Sequence, residues 1–468
     1  MGEVGSGKRE AGSERGEGGG GRRDAKSVAS APNLNPPPNV RAIAKRLEDA
    51  GFETWCVGGA VRDALLGHPH LDWDLATAAK PEQVRKLFKR TVPVGVEFGT
   101  IGVLDDDNVM HEVTTFRRDV QTDGRHAVVE FGASLDDDLA RRDYTINAIA
   151  YSASKDEIRD PFGGQKDIEG KLIRAVGDPR ERMREDRLRA LRAIRFASRF
   201  GFDIERDTWD AIVESAPELG NLSAERVKQE IEKMMDQVKF PSKAFAMWRD
   251  TGAFQTLIPS LAGVTNQELA PLDHLRRPLL PRRPARRSTR IAGLFATVPA
   301  ATVRKTLKDL RFSNTDVDWI TNLVERWQQL GPGMTAALLK AEEIYANDPW
   351  GEQYPPSPIL RMWAASAGRT RLAQLLRLAD AFWWAGRQAG EPAPYKQTIG
   401  QVYKRAIKIA WKDPLTIADL AIDGTDLEKL GAKGPAVGNV LRKLLEAVIN
   451  DPRKNTHDQL LTMAKGFV

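Results

Sequence analysis

Two short stretches carry residue types that could do chemistry together. The segment 57–79, VGGAVRDALLGHPHLDWDLATAA, places Gly58 and Gly59 beside Arg62, and follows them with Asp72 and Asp74 two residues apart. On a strand, residues two apart project to the same face, so Asp72 and Asp74 would point together while Trp73 and Leu75 point into a core. Two adjacent carboxylates repel each other and need a cation to stay ionised together. Oxygen-only ligands suit magnesium, and a pair of such ions can activate an attacking hydroxyl and bind a leaving pyrophosphate. A third carboxylate is offered by Glu112 in VMHEVTTF, a run of strand formers. Alone, an Asp-x-Asp more often marks an exposed strand end. Likewise, a lone Gly-Gly more often marks an ordinary strand-to-helix turn. In order, however, the strand TWCV, then Gly58-Gly59, then the helix AVRDALL would let backbone approach a phosphate at a helix N-terminus, with Arg62 one turn in.

These residues need a mixed scaffold. From 40 to about 155 the sequence alternates short apolar runs with Gly, Asp and Pro: TWCVGG, DWDLAT, TVPV, FGTIGVL, VMHEVTTF and VVEFG read as strands. VRDALLG and PEQVRKLFKR read as helices, the second opening on Pro81. After about 178 the strand signals almost vanish, and PRERMREDRLRALRAIRFASRFGF and SAERVKQEIEKMMDQV have helical spacing. The expected fold is therefore α+β: a small α/β head over 40–177, then an all-helical neck (178–245), body (246–350) and tail (351–468). The Arg- and Pro-rich stretch 266–290 and GEQYPPSPI at 351–359 read as loops or boundaries.

Bulk properties narrow the classes. At 468 residues the chain exceeds a single core of about 250 residues. The net charge is +6, concentrated in arginine runs such as REDRLRALRAIRFASRF and LRRPLLPRRPARRSTR, which points to a polyanionic partner, most simply nucleic acid. Cys56 is the only cysteine, which excludes a disulfide framework or a cysteine-based zinc site and fits a reducing, cytoplasmic setting. No apolar run is long enough to span a membrane. Residues 1–39 are Gly-, Ser-, Arg- and Glu-rich and read as a disordered tail without a signal-peptide core. The tail spells GxxxxGK at Gly2–Lys8, but Arg9 stands where a P-loop needs Ser or Thr. It also meets the loose myristoylation pattern, which occurs often by chance. His111 and His126 receive no role.

Taken in order, GGAVRD, DWDLAT, EVTTFR, DLARRDYTINAIAY, DPFGG and REDRLRALRAIRFA resemble the class II nucleotidyltransferases, the family of tRNA nucleotidyltransferases (CCA-adding enzymes) and bacterial poly(A) polymerases. The resemblance runs through about residues 50 to 250. It implies that Asp72 and Asp74 are the metal-binding catalytic pair and that Gly59 and Arg62 contact the triphosphate of the incoming nucleotide, with Gly58 beside them. It also implies that Arg142 and Asp143, with Arg141 next to them, lie at the nucleotide, and that Asp186 and Arg189 read its Watson–Crick edge with Arg192 and Arg195 nearby. Glu112 as third ligand is read from the strand pattern alone.

The base-reading assignment has physical sense. On a continuous helix Asp186, Arg189, Arg192 and Arg195 would share one face. An acceptor beside a donor fork matches cytosine N4/N3 and adenine N6/N1, whereas uracil and guanine present the reverse. A solvated helix laced with i,i+3 ion pairs would have the same spacing.

Within the family, VGVEFGTIGVL lacks the basic segment common in bacterial poly(A) polymerases, and RRDVQTDGRHAVVEF resembles the loop used when CCA- and A-adding members switch to ATP. The expectation is a magnesium-dependent enzyme adding CCA to tRNA from CTP and ATP. An A-adding enzyme, a poly(A) polymerase and a noncatalytic RNA-binding protein are the alternatives. The Gly-rich C-terminal stretch 420–451 resembles the part of long CCA-adding enzymes that holds the tRNA elbow, and reads equally as a helix hairpin with glycine caps.

Overall fold

The structure, a computed structural model, describes residues 34–68, 73–122, 127–275, 286–347 and 354–467. The head opens with α1 (Pro38–Asp49), followed by β1 (Thr54–Val57), α2 (Gly59–Leu65), β2 (Asp74–Thr77), α3 (Pro81–Leu87), β3 (Thr91–Gly95), β4 (Thr100–Leu104) and β5 (Met110–Thr115). Next come a hairpin of β6 (Arg117–Thr122) and β7 (Ala127–Phe131), then α4 (Leu135–Ala140), β8 (Ala150–Ser152), β9 (Glu157–Arg159), α5 (Gly164–Glu169) and β10 (Leu172–Ile173). Seven strands form one sheet in the order β3-β4-β5-β2-β1-β8-β9, with β2 and β5 parallel and the other pairs antiparallel.

Strand alternation sorts the head's side chains onto two faces. Cys56, Leu75, Ile101 and Val113 join α1, α2 and α3 in one core. Burial there pushes the Cys56 thiol up to about 12, so it packs as an apolar group. Trp55, Val57, Ala76 and Ala150 point to the other face, where Leu135 and Leu139 of α4 cover them. Asp74 lies beyond that cover, at the start of β2.

The neck follows as α6 (Pro179–Glu185), α7 (Leu188–Phe200), β11 (Asp203–Ile204), α8 (Arg206–Ser215) and α9 (Ala224–Gln237). Helices continue to the C-terminus, the longest being Asn314–Asn347 and Arg369–Gln388. A single apolar cluster runs from Tyr144 through α7 and α9 to Leu415, crossing positions 245 and 350 without a break. A separate small core, Ile422 to Ala464, holds the C-terminal helices. No described helix is long and apolar enough to cross a membrane.

Several expectations are corrected by these elements. Leu34 is buried in the head core and α1 starts at Pro38, so the ordered head begins inside the stretch read as tail; residues 1–33 lie outside the described residues. The neck is not wholly helical, since β11 pairs in parallel with β10 of the head through Leu172–Asp203 and Ile173–Ile204. Most of the described part of 266–290 is helical (Asn266–Leu269, Pro271–Leu275 and Arg287–Leu294), as is the end of 351–359, from Ser357. Pro271 and Pro358 sit in the first turns of helices, where a missing N–H costs nothing. The 420–451 stretch is a helix hairpin, Gly424–Lys429 and Pro435–Asn450, with Gly434 at φ 53° before the second helix.

Candidate nucleotide-transfer site

A cavity of about 440 Å³ opens between head and neck, lined by Gly58, Gly59, Arg62, Asp74, Arg141, Arg142, Asp143, Asn147, Asp186, Arg189, Arg192 and Phe196. Among the described residues five arginines stand against three aspartates, a lining that suits a polyanion.

Gly58 stands at φ 75° between β1 and α2, a conformation that favours glycine. A Cβ there would approach Arg142 Nη1 to 3.1 Å, so the bare backbone makes room for that guanidinium. One turn on, Arg62 is buried; its Nε and Nη2 donate to Asp63 Oδ1 at 2.8 and 2.7 Å, and its Nη1 donates to Asn147 Oδ1 at 2.5 Å. Burial draws its pKa below the usual arginine value, opposed by the Asp63 carboxylate.

The segment after α4 supplies the next wall. Ser134 caps α4 by accepting from Asp137 N. The fully buried Asp138 then receives Arg141 Nη2 at 2.7 Å and Arg142 Nη2 at 2.9 Å. Burial pushes the Asp138 carboxyl up, but the two guanidiniums outweigh it and hold it below the usual range. Asp143 accepts from Tyr144 N and Asn147 Nδ2 on one oxygen and from Arg192 Nε and Nη2 at 2.8 and 2.6 Å on the other. Burial opposes ionisation there too, yet Arg192 and Asn147 bring its pKa down to about 2.

The neck helix is interrupted where the sequence spacing predicted continuity. Asp186 sits between α6 and α7 at φ −151°, ψ 103°, so it does not share a helix face with Arg189. Its Oδ1 accepts from Leu188 N at 3.0 Å, competing with helical bonding as aspartate does at helix starts, and its Oδ2 accepts from Arg226 Nη2 at 2.7 Å. Arg189 Nη1 donates to Glu185 at 2.6 Å and to Arg182 O, and its Nη2 donates to Arg141 O at 2.8 Å. Both still line the cavity and both keep bonding capacity: an ionised carboxylate offers about four acceptor sites and a guanidinium five donors.

Of the residues singled out from the sequence, the cavity lining gathers Gly58, Gly59, Arg62, Asp74, Arg141, Arg142, Asp143, Asp186, Arg189 and Arg192. Asp72 lies outside the described residues. Glu112 is exposed and is not part of the lining, but it stands one residue before Val113 as Asp74 stands one before Leu75, and those two are register partners. Arg195 is turned away: it is buried with Nε 2.6 Å from Glu230 Oε2 and Nη1 3.2 Å from Gln237, so it fastens α7 to α9. Sequence reasoning missed Asp138, Asn147, Phe196 and Arg226. Asp138 carried a local signal, its i+3 and i+4 spacing to two arginines, whereas Arg226 is forty residues from its partner and carried none.

Among the described residues no group of three metal-ligating side chains is gathered. Asp74 and Glu112 are the oxygen donors that the strand register brings side by side, and that donor type fits a hard divalent cation.

A mixed sheet with this cavity at the ends of its interior strands β1 and β2 defines a nucleotidyltransferase of the poly(A) polymerase head type. The family described as "Poly A polymerase head domain" matches residues 54–174, and "Probable RNA and SrmB- binding site of polymerase A" matches 201–264. The CCA-adding enzyme of Geobacillus kaustophilus is 35% identical over 395 residues, spanning 80% of this chain and 94% of that protein. That of Pediococcus pentosaceus is 35% identical over 435 residues, spanning 90% and 96%. The crystal structure of the Bacillus stearothermophilus CCA-adding enzyme in complex with CTP superposes with a TM-score of 0.68 at 31% identity, covering 92% of this chain and 96% of that one. The chain belongs to the CCA-adding enzyme family.

Proposed function

We propose that this chain completes tRNA 3′ ends by adding C, C and A from CTP and ATP without a nucleic-acid template, in the cytoplasm. The observation that carries this reading is the single cavity in which phosphate-type arginines on the head and the Asp186–Arg189 pair on the neck face one another.

Arg62, in the first turn after Gly58, holds the triphosphate, and Arg142, packed against Gly58, adds charge beside it. Asp143 holds Arg192 in place and orients the sugar. Asp186 accepts from the exocyclic amine of C or A while Arg189 donates to the ring nitrogen, each using the bonding capacity that its internal partners leave. Asp72 and Asp74 would hold magnesium, with Glu112 as a third oxygen donor. When bound, the metal would supply positive charge at the α-phosphate and would favour ionisation of a hydroxyl beside it. Attack on the α-phosphate breaks the bond to pyrophosphate, and the arginines stabilise the charge that builds there; the protein's contribution is positioning and electrostatics. The C-terminal helices around the separate 422–464 core take the body of the tRNA.

Product length tests the reading. The protein is incubated with magnesium, labelled CTP or ATP and a tRNA lacking its CCA end; three added residues are expected. One A would indicate an A-adding enzyme, a ladder poly(A) synthesis, and no product a binding protein. Asp74→Asn should lower incorporation by roughly 10²–10³-fold while leaving tRNA retention in a gel shift intact; undiminished turnover would remove Asp74 from the metal site.

A further inference from the structure

The helix that carries the base-reading Arg189 near its start also reaches, thirteen residues after Asp186, the group assigned to the phosphates. Arg199, in the last turn of α7, donates from Nη2 to Asp63 Oδ2 at 3.0 Å. Asp63 is buried, and its other oxygen is the one that receives both Nε and Nη2 of Arg62. The contact is reinforced by stacking. The Arg62 guanidinium lies 4.8 Å from the Phe200 ring centre and 5.1 Å from that of Phe196, Arg199 lies 4.9 Å from Phe200, and the two rings are stacked at 6.1 Å. Arg62 spends three of its five N–H donors on Asp63 and Asn147, leaving two for a ligand, and the direction of those two is fixed by where Asp63 stands.

We infer that Arg199 is a positioning residue that sets the Arg62 guanidinium through Asp63, so that α7 aligns the triphosphate contact with the base-reading pair at its other end. This rests on the reading of Arg62 as a triphosphate contact. Arg199 does not line the cavity. Its effect is on the phosphates common to all nucleotides, so it alters CTP and ATP binding equally and leaves the preference over UTP and GTP alone.

The test is a double-mutant cycle on the full chain, with KM and kcat for CTP and ATP on tRNA acceptors ending before C and before A. Arg199→Ala should raise both KM values by the same factor, roughly tenfold, the order expected for a lost charge-assisted bond. Arg199→Lys, which can still reach Asp63, should recover part of the loss. In an Arg62→Ala background, Arg199→Ala should add nothing. If Arg199→Ala is insoluble, Arg199→Met keeps the stem over Phe200 and should show the same KM rise. Unchanged KM values in Arg199→Ala or Arg199→Met, or effects that multiply in the double variant, overturn the coupling while the phosphate reading stands. Unchanged KM values in Arg62→Ala overturn both.

Discussion

Gly58 combines a left-handed φ of 75° with a neighbour, Arg142 Nη1, placed 3.1 Å from where a Cβ would be. Gly58→Ala therefore meets two costs: backbone strain of about 1–2 kcal/mol and displacement of a guanidinium that faces the cavity. The expected outcome is a lower melting temperature together with a raised KM for CTP and ATP, read from thermal unfolding and steady-state incorporation. Had the glycine only capped α2, stability would fall and KM would not move. The adjacent glycines, Arg62 and Asp74 were legible because their types are unusual together at that spacing. The residues that hold Arg62 and Asp186, Asn147 and Arg226 respectively, were not, since their meaning comes from partners 85 and 40 positions away.

Among the elements, the strands of the head were legible wherever apolar alternation was bounded by glycine or aspartate. The helix α1 (Pro38–Asp49) was missed because its start fell in the stretch read as tail and its remainder among runs read mostly as strands, and β10 and β11 because two residues are too few for a period to register. The break between α6 and α7 was hidden by an unbroken run of helix-forming residues; Asp186 interrupts it by bonding Leu188 N. Helical spacing also extended one face too far. Arg195 follows Arg192 by three residues, but it forms a buried ion pair with Glu230 between α7 and α9. Glu230→Ala leaves that guanidinium buried without this carboxylate, and the expected loss is about 3–5 kcal/mol. Denaturant unfolding measures it; a loss below about 1 kcal/mol would show the pair to be dispensable.

The whole molecule rests on carboxylates that stay ionised in buried places. Asp143 and Asp105 are held at about 2, the first by Arg192 and Asn147 against burial, the second chiefly by its hydrogen bond with His111, and Asp138 is lowered by Arg142 and Arg141 against burial. Their unfolded counterparts titrate near 3.8. Folded pKa values below the unfolded ones contribute stability that is complete above pH 3.8 and is lost as pH falls through about 2. Melting temperature should hold steady from pH 7 to pH 5 as far as these groups determine it and drop steeply between about pH 4 and pH 2. The slope should be shallower in Asp105→Asn, a position remote from the nucleotide cavity. A flat profile through that window would show that these carboxylates are not depressed in the folded chain.

One tie between head and neck bears on how the protein can be recombined. The strands β10 and β11 lie on either side of position 178 yet pair with each other, and Tyr144 of the head donates its hydroxyl hydrogen bond to the Arg189 carbonyl. A crossover at 178, the obvious junction by composition, would take the two halves of one ladder from different parents. Chimaeras between relatives should instead keep 54–205 from one parent, inheriting the nucleotide pocket, whose lining runs from Gly58 to Phe196, as a single unit and placing the junctions outside it.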